Sequence, residues 1–137
     1  MEQPVDLVEL ASRNTTGEPG ERFSRVDPVA AEIIRAAMET TCAEVATHVS
    51  LTATTPILNQ SNERNASVMD WSGRLAALNA GVPQFMLSST LPVRFALDFF
   101  GAEGLADGDV ILSNDPYHGG GHLPDYNVFA PVFDRGG

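Results

Sequence analysis

The stretch DPVAAEIIRAAMETTCAEVATHV, residues 27–49, decides the fold class, because its apolar residues recur at spacings of three and four. That period places them on one stripe of an α-helix. Asp27 is a helix-capping residue and Pro28 suits the first helical position. The pattern therefore predicts one long helix over 28–49.

The rest of the chain predicts short elements. Residues 50–64 are rich in Thr, Ser, Asn and Gln and contain Pro56, which indicates an extended or irregular connection. The other expected elements are a hairpin (strands 65–69 and 74–79, turn 70–73), a helix over 88–100, a short buried strand at 110–112 and a strand at 127–133. Helices mixed with hairpins, without regular βαβ alternation, predict an α+β fold.

The two ends predict an incomplete domain. Residues 1–24 are polar and broken by glycine and proline, as in a loose arm, and the domain is expected over 25–137. The strand at 127–133 has no obvious neighbour after it, and an unpaired apolar strand is an aggregation liability. We therefore expect the N-terminal part of a larger α+β subunit, or a sheet completed by another chain.

Composition excludes several function classes. The 137 residues are 43% hydrophobic and carry 18 acidic against 8 basic side chains, a net charge of -10. Such a surface repels phosphate backbones and anionic lipid, so neither nucleic acid nor a membrane is an expected partner. No apolar run is long enough for a membrane span, and the acidic N-terminus does not resemble a signal peptide. The expected compartment is the cytoplasm.

Three isolated residues have ordinary structural interpretations. Cys42, the single cysteine, lies on the apolar stripe and is predicted to be a buried thiol rather than a nucleophile. His48 lies in the last turn of the predicted helix, where its charged form suits the helix dipole better than a ligand role. Trp71 is predicted to pack beside the hairpin, with a partner contact as the alternative.

The loop at 113–125 carries the residues best suited to chemistry. It offers carboxylate and imidazole groups within eleven positions, a combination that suits zinc, manganese or iron. Its triple glycine permits positive φ and close backbone approach, and a proline stiffens each shoulder. The residues that could act here are Asp115, His118, His122 and Asp125.

Other interpretations of the loop stay open. From spacing alone, a glycine-rich surface turn with exposed histidines is as well supported as a metal or catalytic site. An anion-binding nest is a weaker one, because no lysine accompanies the glycines. A Ser-His-Asp triad lacks its Gly-x-Ser-x-Gly elbow. One His and one Asp do not complete a metal site, so further ligands must come from elsewhere.

The loop also resembles a known signature. Asn114-Asp115-Pro116-Tyr117, followed by Gly119-Gly120 and His122-Leu123-Pro124-Asp125, is similar to the motif of the hydantoinase B/oxoprolinase family. That family includes N-methylhydantoinase, 5-oxoprolinase and acetone and acetophenone carboxylase subunits. The flanks 108–110 and 130–133 agree with it, and the resemblance covers roughly 27 to 134. Family members are several times longer, so it is confined to their N-terminal portion.

The sequence departs from the family at three places. Gly121 stands where relatives often carry Thr. Many relatives have a His in the segment that corresponds to residues 82–85, which contain none here. Residues 60–63, Gln-Ser-Asn-Glu, replace the charged segment with which relatives enter the first hairpin strand. The last two differences suggest a subgroup nearer the ketone carboxylases.

The resemblance implies a subunit of a heteromeric enzyme. An ATP-binding, hydantoinase A-like partner would phosphorylate a small-molecule substrate or bicarbonate, and the B-like subunit would complete the reaction at a divalent metal (Zn, Mn or Fe). The reaction would be cyclic amide or lactam hydrolysis, or ketone carboxylation; a non-catalytic assembly module is a further alternative.

The resemblance also suggests residue roles. His122 and Asp125 are expected as metal ligands, with Asp115 as a third ligand or as a carboxylate that orients a ligand histidine. Tyr117 and His118 are expected to contact substrate or move a proton. Asn114 is expected to fasten the loop through backbone hydrogen bonds.

Overall fold

A computed structural model describes residues 27–79 and 81–133 of the chain. The predicted polar arm, 1–24, lies outside these residues. The described part combines helices with two small antiparallel sheets, which confirms the α+β prediction.

The long helix predicted from the opening stretch is present as α1, Pro28–Thr52. The Asp27 carboxylate caps it by accepting a hydrogen bond from the Val29 backbone N–H at 3.1 Å, and Pro28 takes the first helical position. The helix continues three residues past the predicted end. His48 therefore lies before its last turn and is exposed.

The connection predicted to be irregular contains a short second helix, α2, Pro56–Asn59. Thr55 caps it, because its hydroxyl oxygen accepts from the Ile57 N–H. Pro56 therefore acts as a helix start rather than as a breaker, since proline is tolerated where no intrahelical donor is needed. The prediction for 50–64 was wrong in this segment.

The predicted hairpin is confirmed with shorter strands. Strands β1, Ser67–Met69, and β2, Leu75–Leu78, pair antiparallel, with an irregular register between Val68 and Met69. The turn between them contains Gly73 at φ +73°, a left-handed conformation that glycine adopts without strain.

The core is built from small side chains. Cys42 and Ala46 of α1 pack with Ala66 and with Ala77 of β2, and Met38 and Val68 border the cluster. Small residues let the helix lie close to the hairpin. Cys42 is 1% exposed, and burial raises the pKa of its thiol, so the prediction of a buried structural cysteine is confirmed.

Arg64 joins the first helices to the hairpin, a role that the sequence did not reveal. Its side chain donates from Nε to the Ala46 carbonyl at 2.6 Å and from Nη1 to the Leu58 carbonyl at 2.9 Å.

The second predicted helix is present as α4, Thr90–Phe100, and follows an unpredicted short helix α3, Pro83–Ser88. Pro92 lies in the first turn of α4, where its missing N–H costs nothing. Ser89 between the two helices has helical dihedrals, so the segments are nearly continuous.

The terminal strand is paired, contrary to expectation. Strands β3, Ile111–Ser113, and β4, Asn127–Phe129, form an antiparallel pair. The neighbour of the last strand therefore precedes it in the chain. The strand is also shorter than the predicted 127–133.

Several expected buried groups are exposed. Val110 and Leu112 are largely exposed, so β3 is not a buried strand, and Ile33 and Ile34 of the α1 stripe are uncovered. Trp71 at the hairpin tip is 81% exposed, so the prediction that it packs beside the hairpin was wrong. No helix within 27–79 and 81–133 is long and apolar enough to cross a membrane.

Candidate functional site

The loop from Asn114 to Tyr126 connects β3 to β4 and rests on α4. Gly119 provides the contact: it is buried at φ +90°, and a Cβ atom built there would lie 2.6 Å from Leu91 Cβ and 2.7 Å from Pro92 N. Only glycine fits such an approach without displacing the helix. The paired strands hold the two ends of the loop and the helix holds its middle.

Asp115 shapes the first half of the loop. Its Oδ1 accepts a hydrogen bond from the Tyr117 N–H at 2.9 Å and starts a 3₁₀ turn over Pro116–His118. Its backbone carbonyl accepts from Gly120 N at 3.0 Å. Short Asx side chains commonly stabilise turns this way.

The other oxygen of Asp115 engages His118. His118 Nδ1 lies 2.5 Å from Asp115 Oδ2, a hydrogen bond between a carboxylate and an imidazole. The Tyr117 N–H first, and then His118, hold the pKa of the Asp115 carboxyl below its usual range. The His118 ring also packs on Phe95 of α4, with ring centroids 4.0 Å apart.

A second imidazole–carboxylate pair lies in the other half of the loop. His122 Nδ1 and Asp125 Oδ1 are 3.6 Å apart, while the Asp125 N–H donates to the His122 carbonyl at 2.9 Å. Asp125 Oδ2 is buried and has no hydrogen-bond partner within the described part of the chain. Gly121 makes room for it, because a Cβ there would lie 2.8 Å from that oxygen.

The two pairs differ in what they can hold. Two ligand atoms on one tetrahedral zinc ion, each about 2.1 Å from it, are about 3.4 Å apart. The 3.6 Å between His122 Nδ1 and Asp125 Oδ1 is close to that separation, so the donor set fits a divalent cation. The 2.5 Å between Asp115 and His118 leaves no space for an ion and is a direct hydrogen bond.

Within the described residues, neither pair lies beside a third potential metal ligand. Across 27–79 and 81–133, no three His, Cys, Asp or Glu side chains lie together as a metal-binding group. Asp115 uses both carboxylate oxygens on neighbours in its own turn and pairs with His118, which was not predicted as a ligand, so its predicted metal role also stays a prediction. The ligand roles of His122 and Asp125 stay predictions.

The remaining loop residues have distinct positions. The Asn114 side chain donates from Nδ2 to the Leu123 carbonyl at 3.0 Å, so the predicted tether is confirmed. Tyr117 is 88% exposed, and its substrate role stays a prediction. The contribution of Phe95 was missed, because its apolar spacing on α4 carries no sign of a histidine partner.

Comparison with known proteins gives the loop its context. The family model described as hydantoinase B/oxoprolinase matches residues 27–137. The chain is 29% identical to caprolactamase subunit beta of Pseudomonas jessenii over 83% of the chain and 19% of the relative. It is 44% identical to 5-oxoprolinase 1 of Arabidopsis thaliana and 36% identical to 5-oxoprolinase of Dictyostelium discoideum, each over 47% of the chain and 5% of the relative.

The chain thus spans a fifth or less of the length of these relatives. No solved structure matches it. The family match covers all the described elements and both imidazole–carboxylate pairs. The chain belongs to the hydantoinase B/oxoprolinase family.

Proposed function

We propose that this chain contributes the His122–Asp125 part of a divalent-metal site in a subunit that opens cyclic amides with the help of ATP. The observation that supports the proposal best is the buried, unpartnered Oδ2 of Asp125, because a buried carboxylate oxygen is costly unless a donor or a cation meets it. The 3.6 Å separation of His122 Nδ1 from Asp125 Oδ1 supports it further.

Zinc, manganese or iron suits this mixed imidazole and carboxylate pair. When bound, the ion would supply a Lewis acid that polarises the amide carbonyl oxygen. His122 and Asp125 would hold it, and its other ligands would come from outside the described residues. Such a division agrees with a chain that spans 19% of caprolactamase subunit beta.

The substrate class is inferred from the relatives. The names caprolactamase and 5-oxoprolinase describe enzymes that act on lactams. A lactam nitrogen is a poor leaving group, and phosphorylation of the amide oxygen by an ATP-binding, hydantoinase A-like partner would activate the carbon. The designation of one relative as a subunit beta supports a hetero-oligomeric assembly.

The test is turnover by the chain assembled with the ATP-binding subunit of its own complex. The probes are the cyclic amides ε-caprolactam, 5-oxoproline and hydantoin and the ketones acetone and acetophenone, each with and without ATP and with and without bicarbonate. We expect ring-opened product that requires ATP and not bicarbonate. His122→Ala should reduce it at least about 100-fold, whereas His48→Ala, a change in an exposed helix histidine, should not.

Other outcomes would contradict the proposal in different ways. A carboxylated ketone that forms only with bicarbonate would place the chain with the carboxylase subunits. No turnover and no metal in a correctly assembled complex would indicate an assembly module. Equal turnover in His122→Ala and the unsubstituted complex would remove the metal pair from the mechanism.

A further inference from the structure

The Asp115–His118 pair is separate from the candidate metal pair and is arranged differently. It occupies the 3₁₀ turn before the glycines, and no metal-binding group of three within the described ranges includes it. Its atoms are in hydrogen-bond contact at 2.5 Å, against 3.6 Å in the His122–Asp125 pair. The loop therefore contains two imidazole–carboxylate pairs, one spaced widely enough to hold an ion and the other joined by a direct hydrogen bond.

The Asp115 carboxylate is oriented by its own turn as well as by its contact with the His118 ring. Asp115 Oδ1 accepts from the Tyr117 N–H at 2.9 Å, which fixes the plane in which Oδ2 can lie. A carboxylate that accepts from Nδ1 holds the neutral imidazole in the tautomer with its proton on Nδ1. The Nε2 lone pair of His118 is then left to accept a proton.

The ring is also held from the side. Phe95 packs on it at a centroid distance of 4.0 Å and an interplanar angle of 39°, and the adjacent Gly119 is pressed against Leu91. The His118 side chain nevertheless keeps 40% of its surface exposed, so another molecule can reach it. A fixed tautomer, a packed ring and a partly exposed side chain are the properties expected of an acid–base group.

We propose that His118 is the acid–base residue of the site, with Asp115 and Phe95 as positioning residues. This rests on the proposed opening of a cyclic amide. As a water oxygen forms its bond to the amide carbon, Nε2 takes one proton from that water. As the ring C–N bond breaks, Nε2 returns the proton to the departing nitrogen, so His118 ends this step unchanged. Because the amide oxygen carries the phosphoryl group, the carbon is left as an acyl phosphate, which a second water hydrolyses to the carboxylate and inorganic phosphate.

The first experiment reads the tautomer directly and requires no turnover. Histidine side chains of the 137-residue chain are labelled with ¹⁵N and observed by NMR at a pH where the rings are neutral. We expect the His118 proton on Nδ1, and that of the exposed His48 mainly on Nε2. Asp115→Asn keeps an acceptor for Tyr117 but presents an amide donor to Nδ1, so it should move the His118 proton to Nε2.

The second experiment measures turnover in the assembled complex. Asp115→Asn and His118→Gln should each lower kcat for ring opening by about 100-fold or more, with KM and metal content unchanged. His48→Gln is the matched control and should leave kcat unchanged. A lower kcat with unchanged metal content would indicate an acid–base defect, whereas a lower kcat with less metal would indicate loss of the ion.

Two results would overturn the inference. One is a neutral His118 protonated on Nε2 in the unsubstituted chain, which contradicts the positioning by Asp115. The other is full kcat in both variants while His122→Ala is inactive, which contradicts the acid–base role but leaves the proposed function standing. If the unsubstituted complex opens no ring, the proposed function fails and the acid–base role fails with it. The NMR measurement of the His118 tautomer would still show whether Asp115 accepts a hydrogen bond from His118 Nδ1.

Discussion

Asp70 determines the geometry of the first hairpin turn. Its Oδ1 accepts from the Ser72 N–H and hydroxyl and from the Arg74 N–H, and its Oδ2 accepts from Arg74 Nε. Burial alone would raise the pKa of Asp70, but the hydrogen bonds from Ser72 and Arg74 outweigh burial and lower the pKa to about 2, from an ordinary 3.8. The folded chain thus favours the ionised carboxylate.

Asp70 is therefore predicted to make the stability of the chain depend on acid pH. Because its folded pKa lies below its unfolded pKa, its contribution is present in full above about pH 4 and is lost as the pH falls through about 2. Asp70→Asn should lower the free energy of unfolding at pH 7 by about 1 to 2 kcal/mol, a value discounted for partial exposure.

Urea unfolding of both proteins at pH 7 and pH 2 measures this effect. The difference between them should shrink at pH 2, because that pH lies near the folded pKa of Asp70 and well below its ordinary value of 3.8. Asp109→Asn is the control, since that exposed carboxylate accepts from the Ala106 N–H and lies outside the hairpin. A difference that is the same at both pH values would contradict the assignment.

Residue chemistry alone predicted some of these local roles. The cap at Asp27, the burial of Cys42 and the tether at Asn114 follow from what those residue types do at such positions. The pairing of His118 with Asp115, and not with Asp125, could not be predicted. Both acids lie within seven positions of the histidine, and only the 3₁₀ turn decides which one it meets.

At the scale of elements, the docking of the loop on α4 gives the candidate site its rigidity. Gly119 is pressed against Leu91 and Pro92, and the loop ends are held by β3 and β4. The positions of His118 and of the following glycines therefore depend on one close contact between a loop and a helix.

Gly119→Ala is predicted to disturb that docking. The substitution places a methyl group against α4 and forces a left-handed φ on alanine. Gly108→Ala is a matched control, because Gly108 has a similar φ of +91° but a methyl group there would meet nothing within 4 Å. We expect Gly108→Ala to cost about 1 kcal/mol and Gly119→Ala roughly 1 to 3 kcal/mol more.

Thermal or urea unfolding of the two variants measures these costs. Tyr117 and His118 amide shifts in NMR would report whether the loop has moved. Equal costs for the two substitutions would show that the loop does not rest on the helix as described.

The long elements were easier to predict than the short ones. Helix α1 has apolar residues at helical spacing over about seven turns and an N-cap at Asp27, and both signals predict a helix. Helix α2 was missed because a proline in a polar segment favours a break, although Thr55 before it supplies a cap. The pairing of β3 with β4 was missed because thirteen residues separate them, and a strand pattern does not identify its partner.

At the scale of the whole molecule, apolar surface is left uncovered. Leu112 and Val128 lie opposite each other on β3 and β4, and they are 63% and 65% exposed. A two-stranded sheet is marginally stable by itself. Within 27–79 and 81–133, no other residue covers this pair, so it is an apolar patch on the surface.

Replacing both Leu112 and Val128 by Thr is predicted to reduce the binding of the dye ANS, because the pair contributes exposed apolar surface. The free energy of unfolding should change by less than about 0.5 kcal/mol, since exposed positions tolerate substitution. Val68→Thr is the matched control, because Val68 packs against the core and its loss should destabilise the chain. Unchanged ANS binding with a large loss of stability would mean that the pair is buried.

We propose that His122 and Asp125 hold a metal ion, whereas Asp115 positions His118. The most direct test is the transition-metal content of the chain purified with its partner subunit, measured by mass spectrometry. We expect a stoichiometric ion that is lost in His122→Ala and Asp125→Asn and retained in Asp115→Asn and His48→Ala. Full metal content in His122→Ala, or loss of the ion in Asp115→Asn, would contradict it.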